Sequence, residues 1–229
     1  MANVRSKIDE RLVRVALGRL TLEGNLNLPE DARGVVLFAH GSGSSRYSPR
    51  NRYVAEMLNE AGLATLLIDL LTSEEEIIDM QTASLRFNIN LLAQRVVAVT
   101  DWFLQYPYTQ NLRLGYFGAS TGAAAALVAA AERPKVVGAV VSRGGRPDLA
   151  GPALARVQAP TLLIVGGNDF GVIEINQAAL AQLRCEKQLV IVTGATHLFE
   201  EPGALDEVAR LAGEWFEHHL ATAHAPAEH

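Results

Sequence analysis

The sequence has 229 residues, of which 49% are hydrophobic and 20% charged, and its 25 acidic and 20 basic residues give a net charge of −5. This length and composition predict a single domain over residues 1–229, with its core at about 11–220. The small negative charge gives no reason to expect nucleic acid or an anionic membrane as a partner. The single cysteine, Cys185, excludes an intramolecular disulfide and a multi-cysteine metal site.

The start of the sequence does not resemble a secretory signal. The first 18 residues carry many charges and lack the apolar stretch and cleavage site of a secretory signal. All apolar runs are shorter than the roughly 20 residues of a membrane helix. We therefore expect a cytoplasmic protein, with a short, flexible polar tail at 221–229.

Strand-like and helix-like segments alternate along the chain. The strand-like segments are 11–18, 20–29, 34–40, 64–71, 112–118, 136–142, 160–167 and 187–194. The helix-like segments are 48–62, 86–107, 121–134, 172–185 and 204–220. This order predicts an α/β fold with a mostly parallel eight-stranded sheet, an antiparallel opening pair and helices on both faces. Residues 72–84 are acidic and weakly patterned, which predicts a loop, either on the surface or in a site wall.

Four predicted strands end in small and polar residues. These ends are "HGSGSS" (40–45), "GASTG" (118–122), "GGND" (166–169) and "GATH" (194–197). Ligands of such sheets bind beyond the carboxyl ends of the strands. We therefore expect the functional site at these four segments.

Ser120 lies between a buried strand and an alanine-rich helix, with Gly118 and Gly122 two residues away on either side. A sharp strand-to-helix turn needs small neighbours and makes the serine hydroxyl protrude. The following helix directs its first N–H groups towards the same point, which favours a developing negative charge. The pattern predicts a nucleophile at Ser120, although a corner residue that serves packing alone is the alternative.

A serine nucleophile needs a base that is oriented by a carboxylate. Asp169 and His197 follow at later strand ends, so the chain order is Ser, Asp, His. We predict that His197 takes the proton of Ser120 and that Asp169 holds the imidazole. For Asp169 the alternative is a helix cap, because a helix-like segment follows it. For His197 the alternative is a structural histidine.

Further candidates surround the predicted nucleophile. The backbone N–H groups of Thr121 and Ser42 are the expected oxyanion donors, and Gly43 lets the backbone approach a substrate closely. Arg143 follows the sixth strand and is a candidate for binding a substrate carboxylate. Arg146 in the same segment is a candidate too, and for both arginines a structural salt bridge with Asp148 or another acid is an equal alternative.

With these motifs the chain resembles the α/β-hydrolase superfamily, and within it the small, lidless dienelactone hydrolase-like members. The resemblance runs from about residue 11 to 220 and depends on the four strand ends described above. It implies hydrolysis of a small-molecule ester or lactone through a seryl acyl-enzyme, without a metal or organic cofactor. Dienelactone hydrolases proper use cysteine at this corner, so Ser120 leaves the dienelactone substrate open. Residues 142–159 are too few for the cap domain of other members.

Two other classes of protein share an α/β fold of this kind. Dinucleotide binding would need Gly-x-Gly-x-x-Gly, but "GSGSSR" (41–46) ends in Arg46. An inactive or acyl-transferring protein with this fold, acting as a small-molecule binding module, stays open because fold does not fix function. The sequence leaves the oligomeric state and the physiological substrate open.

Overall fold

The computed structural model describes residues 8–220, which form one eight-stranded sheet with flanking helices. The strands are β1 (Ile8–Leu17), β2 (Leu20–Pro29), β3 (Val35–Ala39), β4 (Ala64–Ile68), β5 (Leu114–Ala119), β6 (Val137–Arg143), β7 (Thr161–Gly166) and β8 (Lys187–Val192). Their order in the sheet is β1-β2-β4-β3-β5-β6-β7-β8. The tail predicted at 221–229 lies outside the described residues.

The strand directions follow the hydrophobic pattern of each segment. β1 and β2 pair antiparallel, β2 pairs antiparallel with β4, and the other neighbours are parallel. Side chains of β2 alternate between buried and partly exposed, whereas those of β3, β4, β5 and β7 are buried throughout. Strands with both faces covered are expected to be apolar at every position. The predicted mostly parallel sheet with an antiparallel opening pair is confirmed.

Helices cover both faces of the sheet. They are α1 (Pro49–Glu60), α2 (Ser73–Thr82), α3 (Ile89–Phe103), α4 (Thr121–Glu132), α5 (Phe170–Gln182) and α6 (Ala204–Leu220). α1 and α6 pack in one apolar cluster with Phe38 and Phe117 of the sheet. α3 and α4 pack in the cluster on the other face, with Leu37 and Tyr116. No helix within residues 8–220 is long and apolar enough to cross a membrane.

The prediction of a loop at 72–84 was wrong, because residues 73–82 form α2. The Thr72 hydroxyl accepts from the backbone N–H of Glu75, and the Glu75 carboxylate accepts from the N–H of Thr72. This capping box satisfies two N–H groups that a helix start leaves unpaired, and it stabilises a helix whose apolar pattern is weak. The Thr-x-x-Glu spacing was the signal for it.

The connection between β6 and β7 contains a short 3₁₀ segment, Pro147–Arg156, interrupted at Gly151. It packs against α4 and α5. Within residues 8–220 no cap domain covers the carboxyl ends of the strands, as the sequence predicts. The residues that follow Ala39, Ala119, Gly166 and Val192 are therefore at one accessible edge.

Candidate active site

Ser120 connects β5 to α4 in an unusual backbone conformation, with φ at 52° and ψ at −122°. A residue other than glycine rarely adopts positive φ, and such strain is typical of functional sites. A Cβ on Gly118 would lie 2.4 Å from Cα of Ala123, and one on Gly122 would lie 2.1 Å from the carbonyl oxygen of Ala39. The two glycines are therefore required by the turn that presents Ser120.

The backbone of Ser120 is held by hydrogen bonds to the end of β6, to the segment after it and to α4. Its N–H donates to the carbonyl of Arg143 at 3.2 Å, and its carbonyl accepts from the N–H of Arg146 at 3.0 Å and of Ala123 at 3.1 Å. The hydroxyl makes no capping hydrogen bond to α4. The backbone is thus fixed on both sides while the side chain is left free of a structural role.

Asp169 and His197 meet at the ends of β7 and β8. Oδ2 of Asp169 lies 2.6 Å from Nδ1 of His197, and Asp169 makes no capping hydrogen bond although it directly precedes α5. The neighbouring residue Asn168 fixes the two segments, because its backbone N–H donates to the carbonyl of Ala195 and its side-chain amide to that of Gly194, both at 2.9 Å. The Asp169 carboxylate therefore binds His197 and does not cap α5.

A carboxylate can only accept from Nδ1, so this hydrogen bond places the proton of neutral His197 on Nδ1 and leaves Nε2 free to accept one. Ser120 Oγ and His197 Nε2 are not joined by a hydrogen bond among the described residues. The His197 ring packs beside Gly144, where a Cβ would lie 3.5 Å from Cε1 and 3.2 Å from the His197 carbonyl oxygen. Gly144 directly follows Arg143, whose carbonyl holds Ser120. Catalytic hydrogen bonds are often longer before substrate binds.

The predicted oxyanion donors come from the β3–α1 loop and from the start of α4. The N–H of Ser42 donates to the side-chain hydroxyl of Thr121 at 3.0 Å, and the two hydroxyls are 2.9 Å apart. The N–H of Thr121 is at the first position of α4, where a helix supplies no partner. Gly43 has φ at 66°, a conformation that glycine adopts without strain.

His40 fixes the start of this loop. Its Nε2 accepts from the backbone N–H of Leu70 at 3.0 Å, so Nδ1 carries the proton and donates to the carbonyl of Gly41 at 3.0 Å. Burial lowers the pKa of His40, which favours the neutral ring that this pair of hydrogen bonds requires. These contacts give His40 a structural role at the start of the loop.

Arg46 fixes the other end of the loop. Its guanidinium pairs with Asp69 and with Glu23, and its backbone N–H donates to Asp69 at 2.7 Å. Asp69 is therefore bound to Arg46 and is not available for a ribose, which adds to the sequence argument against dinucleotide binding. This pairing has no signal in the sequence, because it joins separate segments through their side chains.

A cavity of about 130 Å³ opens beside the β3–α1 loop at residues 40–48, which we call the oxyanion loop of this site. Its lining residues include Ser42, Gly43, Leu71, Leu92 and four residues of the α2 region, namely Glu76, Asp79, Met80 and Arg86. Residues of α2 therefore form a wall of the cavity, which was one of the two interpretations of this segment.

Arg86 and Asp79 hold this wall in place. Nε of Arg86 donates to Oδ2 of Asp79 at 2.6 Å, and Asp79 also accepts from the backbone N–H groups of Leu85 and Arg86 at 2.8 and 3.0 Å. Burial acts to raise the pKa of Asp79, but these hydrogen bonds outweigh it and lower that pKa. Asp79 thus compensates the charge of Arg86.

The two arginines after β6 have different surroundings. Arg146 forms a two-point salt bridge with Asp148 at 2.8 and 2.9 Å, as the structural alternative predicts. Arg143 is only 7% exposed, donates to the side chain of Asn51 at 3.3 Å and lies over the ring of Phe199. Burial and the nearby Arg50 lower the pKa of Arg143 to about 10. Arg143 does not line the cavity, whereas Gly43 does.

Residues 8–220 contain no group of three or more His, Cys, Asp or Glu side chains arranged to hold a metal ion. Cys185 is half-buried in the connection between α5 and β8, and its thiol lies 3.7 Å from the Thr161 hydroxyl, away from the four strand ends. The candidate site consists of a strained serine, an Asp–His pair and backbone donors. The small cavity adjoins this site through Ser42 and Gly43, and Ser120, Asp169 and His197 do not line it.

This fold and these strand ends define the α/β-hydrolase class. The model of the dienelactone hydrolase family matches residues 22–222, and the chain belongs to that family, as its motifs suggest. The family is one of ester-hydrolysing enzymes. A crystal structure of dienelactone hydrolase from Anabaena variabilis is 66% identical, with a TM-score of 0.92 over 93% of this chain and 99% of that one.

The chain is also similar to proteins from two other organisms. Est1E from Butyrivibrio proteoclasticus is 17% identical and shares the fold, with a TM-score of 0.75 over 92% of this chain and 99% of that one. Two Mycobacterium tuberculosis proteins, each named "Putative phosphoribosyl transferase", are 59% identical over 208 residues. This is 91% of the present chain and 46% of each relative, so the chain spans about half the length of these curated relatives.

Proposed function

We propose that this chain is a serine hydrolase that cleaves carboxylic ester or lactone bonds through a seryl acyl-enzyme. The observation that carries the proposal is the 2.6 Å contact between Asp169 and His197, made by an aspartate that leaves its own helix uncapped. A strained serine at the end of β5, which β6 separates from β7, supplies the third member. Asp169, His197 and Ser120 are the residues to which we assign catalysis.

In the proposed reaction Ser120 Oγ attacks the carbonyl carbon while its proton moves to Nε2 of His197. The carbonyl oxygen becomes an oxyanion, which the N–H groups of Thr121 and Ser42 stabilise, each by about 3 kcal/mol. His197 then protonates the leaving alcohol and the C–O bond breaks. A water molecule repeats the sequence on the acyl-enzyme, and the acid is released. Asp169 stabilises the imidazolium in both halves without taking its proton.

The cavity beside the oxyanion loop is the proposed place for part of the substrate. Of the two substrate-binding candidates, Gly43 lines this cavity, and the buried Arg143 would need to leave Asn51 to reach a ligand. We therefore assign substrate contact to Gly43 and retain Arg143 as the weaker proposal. The cavity volume of about 130 Å³ suits a small acyl group.

The cytoplasmic location that we expect from the sequence remains a prediction.

Phosphoribosyl transfer, which the name of the Mycobacterium relatives suggests, is less well supported. A phosphoribosyl diphosphate carries several negative charges, whereas the cavity is lined by Glu76 and Asp79, with Arg86 already paired to Asp79. Burial and the carboxylate of Asp69 raise the pKa of Glu76, so added negative charge would be disfavoured there. Release of pyrophosphate from phosphoribosyl pyrophosphate, unaffected by Ser120→Ala, would favour the transferase.

Pre-steady-state hydrolysis of 4-nitrophenyl acetate tests the proposal. An acyl-enzyme predicts a burst of about one equivalent of nitrophenol per chain, followed by slower turnover. The burst should disappear in Ser120→Ala and persist in Ser142→Ala, a matched buried serine on β6. An unchanged burst in Ser120→Ala would refute the assignment. Turnover that rises with added alcohol, with the ester of that alcohol as product, would identify an acyl transferase.

A further inference from the structure

Thr121 and Ser42 form the only direct side-chain link described between the oxyanion loop and the start of α4. Thr121 is 4% exposed, and its hydroxyl accepts from the Ser42 N–H at 3.0 Å and lies 2.9 Å from the Ser42 hydroxyl. The Ser42 hydroxyl also donates to the carbonyl of Arg86 at 3.4 Å. Since its one proton is donated there, the Ser42 hydroxyl accepts from the Thr121 hydroxyl, which thus accepts from the Ser42 N–H and donates to Ser42 Oγ.

This link occupies one of the two proposed oxyanion donors. A backbone N–H has a single hydrogen. The neutral hydroxyl of Thr121 accepts the one on the Ser42 N–H. A negatively charged oxygen is a stronger acceptor than a hydroxyl, because charge-assisted hydrogen bonds are about twice as strong as neutral ones. An oxyanion can therefore take the N–H from Thr121 without any proton transfer.

We infer that the Thr121 side chain is a positioning residue for the oxyanion hole, which holds the Ser42 N–H in place until the oxyanion replaces its hydroxyl. The inference rests on the proposed function, since it assigns a role within the same site. A donor whose backbone is already held in place needs little reorganisation when charge develops, because only its hydroxyl partner is exchanged for the oxyanion. The other oxyanion donor is the backbone N–H of Thr121. Every substitution except proline retains this N–H, so side-chain variants of Thr121 change the hydroxyl alone.

The loop itself explains why such a link is needed. Ser42 lies between Gly41 and Gly43, and Gly43 is in the left-handed region with φ at 66°. Glycines on both sides give this segment more backbone freedom than other residues would. The contacts of His40 and Arg46 fix the ends of the loop, whereas the Thr121 hydroxyl is what fixes the Ser42 N–H between them.

The test compares Thr121→Val, which removes the hydroxyl but keeps the shape, with Thr121→Ser, which keeps the hydroxyl. With 4-nitrophenyl acetate we expect Thr121→Val to lower kcat by about 10²-fold, with KM changed less than about 2-fold, because ground-state binding does not use the oxyanion hole. Thr121→Ser should stay within about 3-fold of wild type. Inhibition by a trifluoromethyl ketone, which mimics the tetrahedral state, should weaken in parallel with kcat.

Three outcomes would overturn the inference. The first is a Thr121→Val enzyme with wild-type kcat, and the second is a Thr121→Ser enzyme as impaired as Thr121→Val. The third is a Thr121→Val enzyme that loses inhibition by the product acid as much as inhibition by the ketone. Thr121→Ala gives the same comparison if Thr121→Val does not fold, as judged by near-UV circular dichroism. Wild-type protein without an acyl-enzyme burst would instead defeat the proposed function, so the two failures are distinguishable.

Discussion

The Asp169 carboxylate lies 2.6 Å from Nδ1 of His197, although it directly precedes α5 and could have capped that helix. A capping hydrogen bond typically stabilises a helix by about 1 kcal/mol. The helix α5 therefore lacks that stabilisation, and the Asp169 carboxylate instead orients the partly exposed imidazole of His197. This choice links the two strand ends on which the proposed mechanism depends.

Replacing Asp169 with asparagine should leave the fold intact and lower kcat by about 10⁴-fold, because the amide favours the wrong tautomer of His197. Steady-state ester hydrolysis measures the effect. Asp148→Asn is the matched control, because Asp148 pairs with Arg146 at the protein surface. Near-wild-type activity in Asp169→Asn would show that another group orients the histidine.

Gly122→Ala should destabilise the protein by about 3 kcal/mol, because the new Cβ would meet the carbonyl oxygen of Ala39 at 2.1 Å. Urea denaturation measures the free energy of unfolding. Gly171→Ala in α5 is the control, since no atom lies within 4 Å of its new Cβ, and it should be neutral or stabilising. Equal effects of the two substitutions would contradict the tight packing at the turn.

The buried His40 should make stability depend on pH. Burial lowers the pKa of folded His40, so the unfolded chain takes up a proton that the folded one resists. The free energy of unfolding should therefore be highest above about pH 6.5, the ordinary histidine pKa, and decline as the pH falls below it.

His40→Gln keeps an acceptor and a donor at this position without a titrating group. Urea denaturation at several pH values should give a shallower decline in the variant than in wild type. The comparison is needed because burial also lowers the pKa of His219, which contributes equally to both proteins. Identical pH dependence in the two proteins would show that His40 does not contribute.

The cavity beside Ser42 should limit the acyl group. Met80 lines it from α2, and Met80→Trp should fill part of its volume of about 130 Å³. We expect kcat/KM for 4-nitrophenyl hexanoate to fall about 10-fold, with the acetate nearly unchanged, since excluding a single methylene group from an apolar pocket costs about 1–3 kcal/mol. Ile77→Trp is the control, because Ile77 is exposed on the same helix and does not line the cavity. A matching fall in that control would point to a general effect on α2.

The strand pattern and the strand-end motifs could be predicted from the sequence for a physical reason. Parallel strands covered on both faces must be apolar, so they appear as continuous apolar runs such as 34–40 and 160–167. Their carboxyl ends meet at one edge, so Asp169 and His197 could be expected to lie together from their places after β7 and β8. No knowledge of loop conformation was needed.

The features that sequence analysis missed depend on local caps or on contacts between distant side chains. α2 has a weak apolar pattern, and its start depends on the reciprocal hydrogen bonds of Thr72 and Glu75. The Ser42–Thr121 link joins residues 79 positions apart. Such contacts follow from the path of the β3–α1 loop, which glycines leave undetermined at the level of sequence.

Labelling with a fluorophosphonate, followed by mapping of the modified peptide, tests the central claim most directly. The proposed mechanism predicts one adduct per chain on Ser120, formed more slowly in His197→Ala and absent in Ser120→Ala. An adduct on another residue, or a folded protein that hydrolyses esters without reacting, would contradict the assignment of Ser120 as the nucleophile.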